Sequence, residues 1–300
     1  MPSIERPNIV VIMYDQQRTD SLACYGKVFV QSPHIDALAE GGVRFDDGFT
    51  PFPLCTPSRA ALWTGRMPHT HDIMDCIYGV ADAFAASSHP ETLFDHLARV
   101  GYRNAYFGKW HLGSRQPENT HHWDAFNSAG GHWVDGKQDF QGGHYLPERQ
   151  TDRMSAYLRQ HTEDTQPFCV VHSYYPPHEP YTAPKRYVDL YRGKGIFRPG
   201  YYAAVTAIDD CVGQILATLD EMGVRENTVV LYTSDHGEHF NYRAKNNKTT
   251  GHDDSIRIPM ILSWPGTLPA ARVVQGAAGL EYVVPTLLEL CDVAIPGDLH

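Results

Sequence analysis

The sequence predicts an α/β fold: a mainly parallel sheet with helices on both faces. Two observations carry this prediction. Apolar runs of strand length alternate with helical patterns along the chain, which is how strands joined by crossover helices read. Several of those runs also end in charged or imidazole side chains, and ligands of open α/β sheets bind beyond the carboxyl ends of the strands. A chain of 300 residues, 42% hydrophobic and 20% charged, has ordinary globular composition and can bury a sizeable core. No repeat or clean linker divides it, so residues 1–300 read as one domain.

The elements follow in order. Asn8–Met13 is an apolar run and reads as a buried strand. Ser32 and Pro33 open a short helix that stops at Gly41 and Gly42, with start and stop residues at the proper ends. Val43–Phe49 is a strand that leads to a loop holding Cys55. Glu91–Val100 is an amphipathic helix closed by Gly101, and Tyr102–Phe107 is the strand after it. Phe168–Ser173 and Thr228–Thr233 are two further strands; Tyr201–Met222 is the longest helical pattern. Pro259–Trp264 is a late strand and Pro285–Leu290 a last helix. Residues 114–150, rich in Gly, His, Gln and Asn without periodicity, read as a long surface excursion near the site.

Composition excludes some partners. A formal charge of −10 argues against nucleic acid and anionic membranes, and no apolar run has the length of a membrane span. The N-terminal Met1–Pro7 is too short and too charged for a secretory leader, so a cytoplasmic location is expected. The cysteines at 24, 55, 76, 169, 211 and 291 are scattered, which fits reduced thiols rather than a disulfide framework.

The most informative segment is Cys55-Thr56-Pro57-Ser58-Arg59-Ala60-Ala61-Leu62-Trp63-Thr64-Gly65. Pro57 suits the first turn of a helix, which places Cys55 just outside a helix N-terminus, where free N–H groups favour an anion. Arg59, one turn in, brings a guanidinium fork suited to tetrahedral oxyanions. Asp15 and Gln16 end the first strand and Asp235 ends the Thr228 strand. They offer hard oxygen ligands for Ca²⁺, Mg²⁺ or Mn²⁺ rather than zinc, and His236 can add a nitrogen. Lys109 and His111 follow the Tyr102 strand, and His178 follows the Phe168 strand.

Cys-x-Pro-Ser-Arg with Thr64-Gly65 resembles the signature of the type I sulfatases, in the alkaline phosphatase superfamily. Thr-Ser-Asp-His-Gly (233–237) and Gly-Lys-Trp-His-Leu-Gly (108–113) are similar to further segments of that family. The resemblance implies that Cys55 is converted to formylglycine by a formylglycine-generating enzyme and acts, as its hydrate, as nucleophile. It also implies one divalent metal, with Ca²⁺ expected and Mn²⁺ or Mg²⁺ as alternatives, held by Asp15, Gln16, residue 55, Asp235 and His236. Arg59, Lys109 and Lys248 would neutralise the sulfate oxygens. His178 would protonate the leaving alcohol, and His111 would take a proton from the second hydroxyl of the hydrate. Lys248 lies at the family's spacing before Arg257, but the match around it is loose and Lys245 is an alternative.

The expected activity is hydrolysis of an aryl, alkyl or carbohydrate sulfate monoester. Gln16 and His236 stand where many sulfatases carry Asp and Asn. Relatives that cleave phosphonate monoesters or phosphodiesters, and some sulfatases, share those replacements, so that reaction is the alternative, with a non-catalytic metal- or anion-binding fragment as a further one. Sulfatases usually continue into a smaller C-terminal subdomain; this sequence stops at His300 without it, and truncation is expected.

Overall fold

Alternate residues of the first strand face two different cores. Along β1 (Asn8–Asp15), Ile9, Val11 and Met13 pack into one cluster, and Val10, Ile12 and Tyr14 into the other. A strand buried on both faces reads as a continuous apolar run, as this one does. The computed structural model describes residues 6–78, 82–83, 91–127, 131–136, 138, 144–162 and 165–299.

The remaining strands are β2 (Val43–Phe49), β3 (Arg103–Lys109), β4 (His122–Phe126), β5 (Phe168–Pro177), β6 (Thr228–Ser234), β7 (Arg257–Ser263) and β8 (Arg272–Gly279). The described helices are α1 (Pro33–Glu40), α2 (Cys55–Thr64), α3 (Pro68–His71), α4 (Leu93–Ala98), α5 (Leu146–Gln160), α6 (Lys185–Val188), α7 (Pro199–Glu221), α8 (Asp253–Ile256) and α9 (Val283–Leu290). The strands form one eight-stranded sheet in the order β4-β3-β5-β1-β6-β7-β2-β8. All pairings are parallel except those of β7 with β6 and β2, so β7 alone runs against the rest. Ile35 of α1, Met154 of α5 and Ile208 of α7 cover one face; Trp63 of α2, Phe94 of α4 and Leu287 of α9 cover the other.

The mainly parallel sheet with helices on both faces is what the sequence predicts. Several elements differ in extent. Cys55 is the first residue of α2, with Leu54 as its cap, so it lies inside the helix terminus rather than just outside it. Strands β1, β3 and β5 run on to Asp15, Lys109 and Pro177. Within the expected excursion, β4 is a strand and α5 begins at Leu146; residues 128–130, 137 and 139–143 of it lie outside the described residues. Polar residues conceal α5, because its buried face includes Gln150, Thr151 and Ser155 beside Met154 and Leu158. The edge strand β8 is mostly exposed and so lacks an apolar signal.

His172 on β5 is wholly buried, stacked on Tyr174 with ring centroids 3.8 Å apart. Burial pushes its pKa down to about 3, against about 6.5 for a free imidazole. The unfolded chain therefore binds a proton that the folded chain refuses, and stability is lost as pH falls through about 6.5 toward the folded value. His172→Phe is expected to shrink the stability lost between about pH 7.5 and about pH 5 by about 2 kcal/mol, measured by urea unfolding at both pH values.

Candidate active site

Parallel register brings two carboxylates together. Tyr14 of β1 pairs with Ser234 of β6, so Asp15 and Asp235 leave the sheet side by side, and the Asp235 N–H donates to the Tyr14 carbonyl at 3.1 Å. Gln16 has a φ of 69°, and this turn aims its N–H at Asp235 Oδ1, 3.0 Å away. The His236 N–H donates to the same oxygen at 2.9 Å.

Helix α2 drives Arg59 between these carboxylates. Its Nε donates to Asp235 Oδ2 at 2.9 Å and its Nη2 to Asp15 Oδ2 at 3.1 Å. Its Nη1 donates to the Lys109 carbonyl at 2.7 Å and to Ser173 Oγ at 2.9 Å. All these contacts are to protein, and the residue is 0% exposed. Arg59 thus holds the two carboxylates together. Ser58, its neighbour, donates to the Asp235 carbonyl and fixes the start of the helix on β6.

Cys55 Sγ is the focus of the site. It lies 3.1 Å from Lys248 Nζ, 3.2 Å from His236 Nε2 and 3.7 Å from Asp15 Oδ1. A hydrogen bond from Cys76 outweighs burial and, with Lys109, Lys248 and His236, holds the Cys55 thiol well below its usual pKa. Burial and the Cys55 charge push Asp15 up, but Lys109, His178 and Arg59 prevail and keep it below the usual carboxylate range. Burial and Asp15 raise Asp235.

Lys109, at the end of β3, bonds Asp15 and lies 4.9 Å over the Tyr175 ring. Lys248 reaches inward and contacts Gln16 Oε1 at 2.8 Å, His178 Nε2 at 3.2 Å and His236 Nε2 at 3.3 Å. Lys245 is exposed, so of the two candidate lysines the structure brings Lys248 to the site. His178 follows β5, with Nδ1 donating to the Glu179 carbonyl at 2.9 Å. His111 donates Nε2–H to the Ile77 carbonyl at 3.0 Å.

Ligand atoms of Asp15, Cys55, Asp235 and His236 all lie within 4.8 Å of one another, and all four residues are buried. His236 Nδ1 donates to the Gly237 carbonyl at 2.9 Å, which leaves the Nε2 lone pair facing the carboxylates. A backbone partner of this kind fixes the tautomer of a metal-ligating histidine. Two carboxylates with one imidazole suit a hard divalent cation, so these residues form a possible metal site.

Two participants carry no sequence signal. Glu238 accepts from Gln16 Nε2 and, at 2.6 Å, from Tyr181 Oη, and so turns the Gln16 carbonyl oxygen toward Lys248. Cys76 belongs to no spacing pattern and reaches Cys55 through the fold alone. Among the aromatics near the site, Tyr175 lies against His178 with centroids 4.8 Å apart. Tyr174 is fully buried, while Trp123 packs on Tyr106 and Trp133 on Tyr145.

A sheet edge that gathers a thiol, two carboxylates and converging cations around a helix N-terminus defines an α/β protein with the donors for an anion and a cation at its strand ends. The chain belongs to the sulfatase family, whose model matches residues 7–293. An "Ulvan-active sulfatase" of Formosa agariphila is 32% identical over 331 residues, covering 98% of this chain and 63% of that protein. An "N-acetylglucosamine-6-O-sulfatase" of Bacteroides thetaiotaomicron is 23% identical, covering 99% of this chain and 70% of its own length. A solved structure of a protein in complex with its substrate D-glucosamine-2-N,6-O-disulfate superposes with a TM-score of 0.86 at 21% identity, covering 98% of this chain and 78% of that one. The chain thus spans about two thirds of the length of the curated relatives it matches.

Removing Arg59 leaves two buried carboxylates without their shared cation. Arg59→Gln is expected to lower unfolding free energy by about 3–5 kcal/mol, and adding Asp235→Asn to recover part of that loss. Urea unfolding of the single and double variants checks both statements.

Proposed function

We propose that this chain hydrolyses sulfate monoesters by covalent catalysis at residue 55, with a sulfated carbohydrate as the substrate class. The observation that carries the reading is the placement of residue 55 at the start of α2, against Asp15 and His236 on one side and Lys248 on the other. The names of the ulvan-active and N-acetylglucosamine-6-O-sulfatase relatives support the sugar half.

Asp15, Gln16, Asp235 and His236, with residue 55, would hold a divalent cation, Ca²⁺ in this reading. When bound, that ion stabilises the anionic form of the attacking oxygen. Residue 55 as hydrated formylglycine, made by a formylglycine-generating enzyme, supplies one hydroxyl for attack on sulfur and a second for release of sulfate. Lys109 and Lys248 neutralise the equatorial oxygens, while Arg59 keeps both carboxylates in place.

One role differs in this reading from the one the resemblance implies. His178 donates through Nδ1 and accepts at Nε2 from Lys248, and burial, outweighing Asp15, pushes its pKa down to about 3. The proton for the leaving oxygen therefore starts on Lys248, with His178 as its hydrogen-bonded partner. His111 gives Nε2–H to Ile77 and has a buried Nδ1 without a partner among the described residues. That nitrogen takes the proton from the second hydroxyl.

Protein co-expressed with a formylglycine-generating enzyme is expected to show higher kcat/KM on a chromogenic sulfate monoester than on a phosphonate monoester or phosphodiester. Cys55→Ala should abolish turnover, and Lys248→Ala should lower kcat by about 10²–10³-fold. Faster cleavage of either phosphorus ester would move the chain to the alternative reaction.

A further inference from the structure

Position 55 borders two sets of ligands, and only the hard one is given a metal in the mechanism above. On its other side, Sγ of Cys55, Sγ of Cys76 and a ring nitrogen of His111 lie within 4.8 Å of one another. These donors differ in kind from Asp15 and Asp235. Two thiols and an imidazole make a Cys₂His set, which takes Zn²⁺ with a fourth position left open.

His111 supplies an independent sign. It is only 4% exposed, and its Nδ1 has no hydrogen-bond partner among the described residues. Its Nε2–H is donated to the Ile77 carbonyl at 3.0 Å, which leaves the lone pair on Nδ1. A histidine that gives one N–H to a backbone carbonyl and keeps a bare second nitrogen has the arrangement of a metal ligand. His111 is held there by its own backbone, whose carbonyl accepts from Thr56 Oγ1 at 3.0 Å. Cys76 is half-buried, so a cation can reach the cluster from that side.

We propose that, while residue 55 is a cysteine, Cys55, Cys76 and His111 form a second metal site for a thiophilic divalent cation of the Zn²⁺ class. Both sulfurs bind as thiolates, so any proton that either still carries leaves to solvent as the cation binds. The site rests on the thiol at position 55 and not on the proposed reaction; conversion of Cys55 to an aldehyde removes it.

The test uses full-length protein made without a maturation enzyme, its Cys55 thiol verified by intact mass. Stripped of metal and held in excess Ca²⁺ to fill the hard set, it is titrated with Co²⁺ as a spectroscopic stand-in for Zn²⁺. One Co²⁺ per chain is expected, with the thiolate charge-transfer intensity of two Co–S bonds and tetrahedral ligand-field bands that Zn²⁺ abolishes. Cys76→Ser should weaken binding more than about 100-fold, beyond the usual cost of losing an outer partner. Cys24→Ser, which alters the other partly exposed thiol away from the cluster, should change nothing. A wild-type spectrum without the two-thiolate band overturns the proposal even where Cys76→Ser fails to fold. So does a band that excess Ca²⁺ removes, one that survives Cys76→Ser at full strength, or one lost in Cys24→Ser.

Discussion

The buried ion triad of Asp15, Arg59 and Asp235 is the constraint on which the site depends. All three side chains are 0% exposed, and a buried charge costs several kcal/mol unless it is paired and hydrogen-bonded. Parallel pairing of β1 with β6 makes the two carboxylates neighbours, so a cation has to stand between them. Arg59 meets that need because its planar fork serves both at once and still reaches the Lys109 carbonyl and Ser173. A lysine has no such geometry. The triad joins the ends of β1, β3, β5 and β6 to one helix.

Packing holds that helix in place. Trp63 lies one turn beyond Arg59 on α2, a spacing that puts the two on one face. Its ring meets Phe94, Trp110 and Tyr106 with centroids 4.8, 5.2 and 5.6 Å away. The helix dictates the position of Cys55, and the aromatic cluster dictates the position of the helix. Chemistry at residue 55 is thus anchored in the apolar layer between α2, α4 and the sheet.

The legible parts of the chain were those where local pattern and burial agree. β1, β5 and β6 are buried on both faces and read as apolar runs; Asp15, Lys109 and Asp235 were visible because each stands where such a run stops. Arg59 was visible as a residue but its contact with both carboxylates was not, since a sequence does not show which groups a guanidinium meets. Lys248 could not be told from Lys245, because only the path of the 241–252 loop decides which ammonium points inward. Cys76 and Glu238 act through contacts that span the sheet, and no spacing rule encodes those. Helix α5 was hidden by polar residues that pack inward, and β8 by its exposure at the sheet edge.

The depth of Cys55 has a consequence in time. Its side chain is enclosed by Asp15, which precedes it in the chain, and by His236 and Lys248, which follow it by 181 and 193 residues. Cys55 is 2% exposed once those segments have docked. An enzyme that alters this thiol within an accessible peptide therefore works against a clock. The opportunity opens when the segment around Cys55 has been synthesised and closes when the β6 end and the Lys248 loop settle over it. Faster folding of the C-terminal half shortens that interval, and the proportion of altered chains becomes a record of the race.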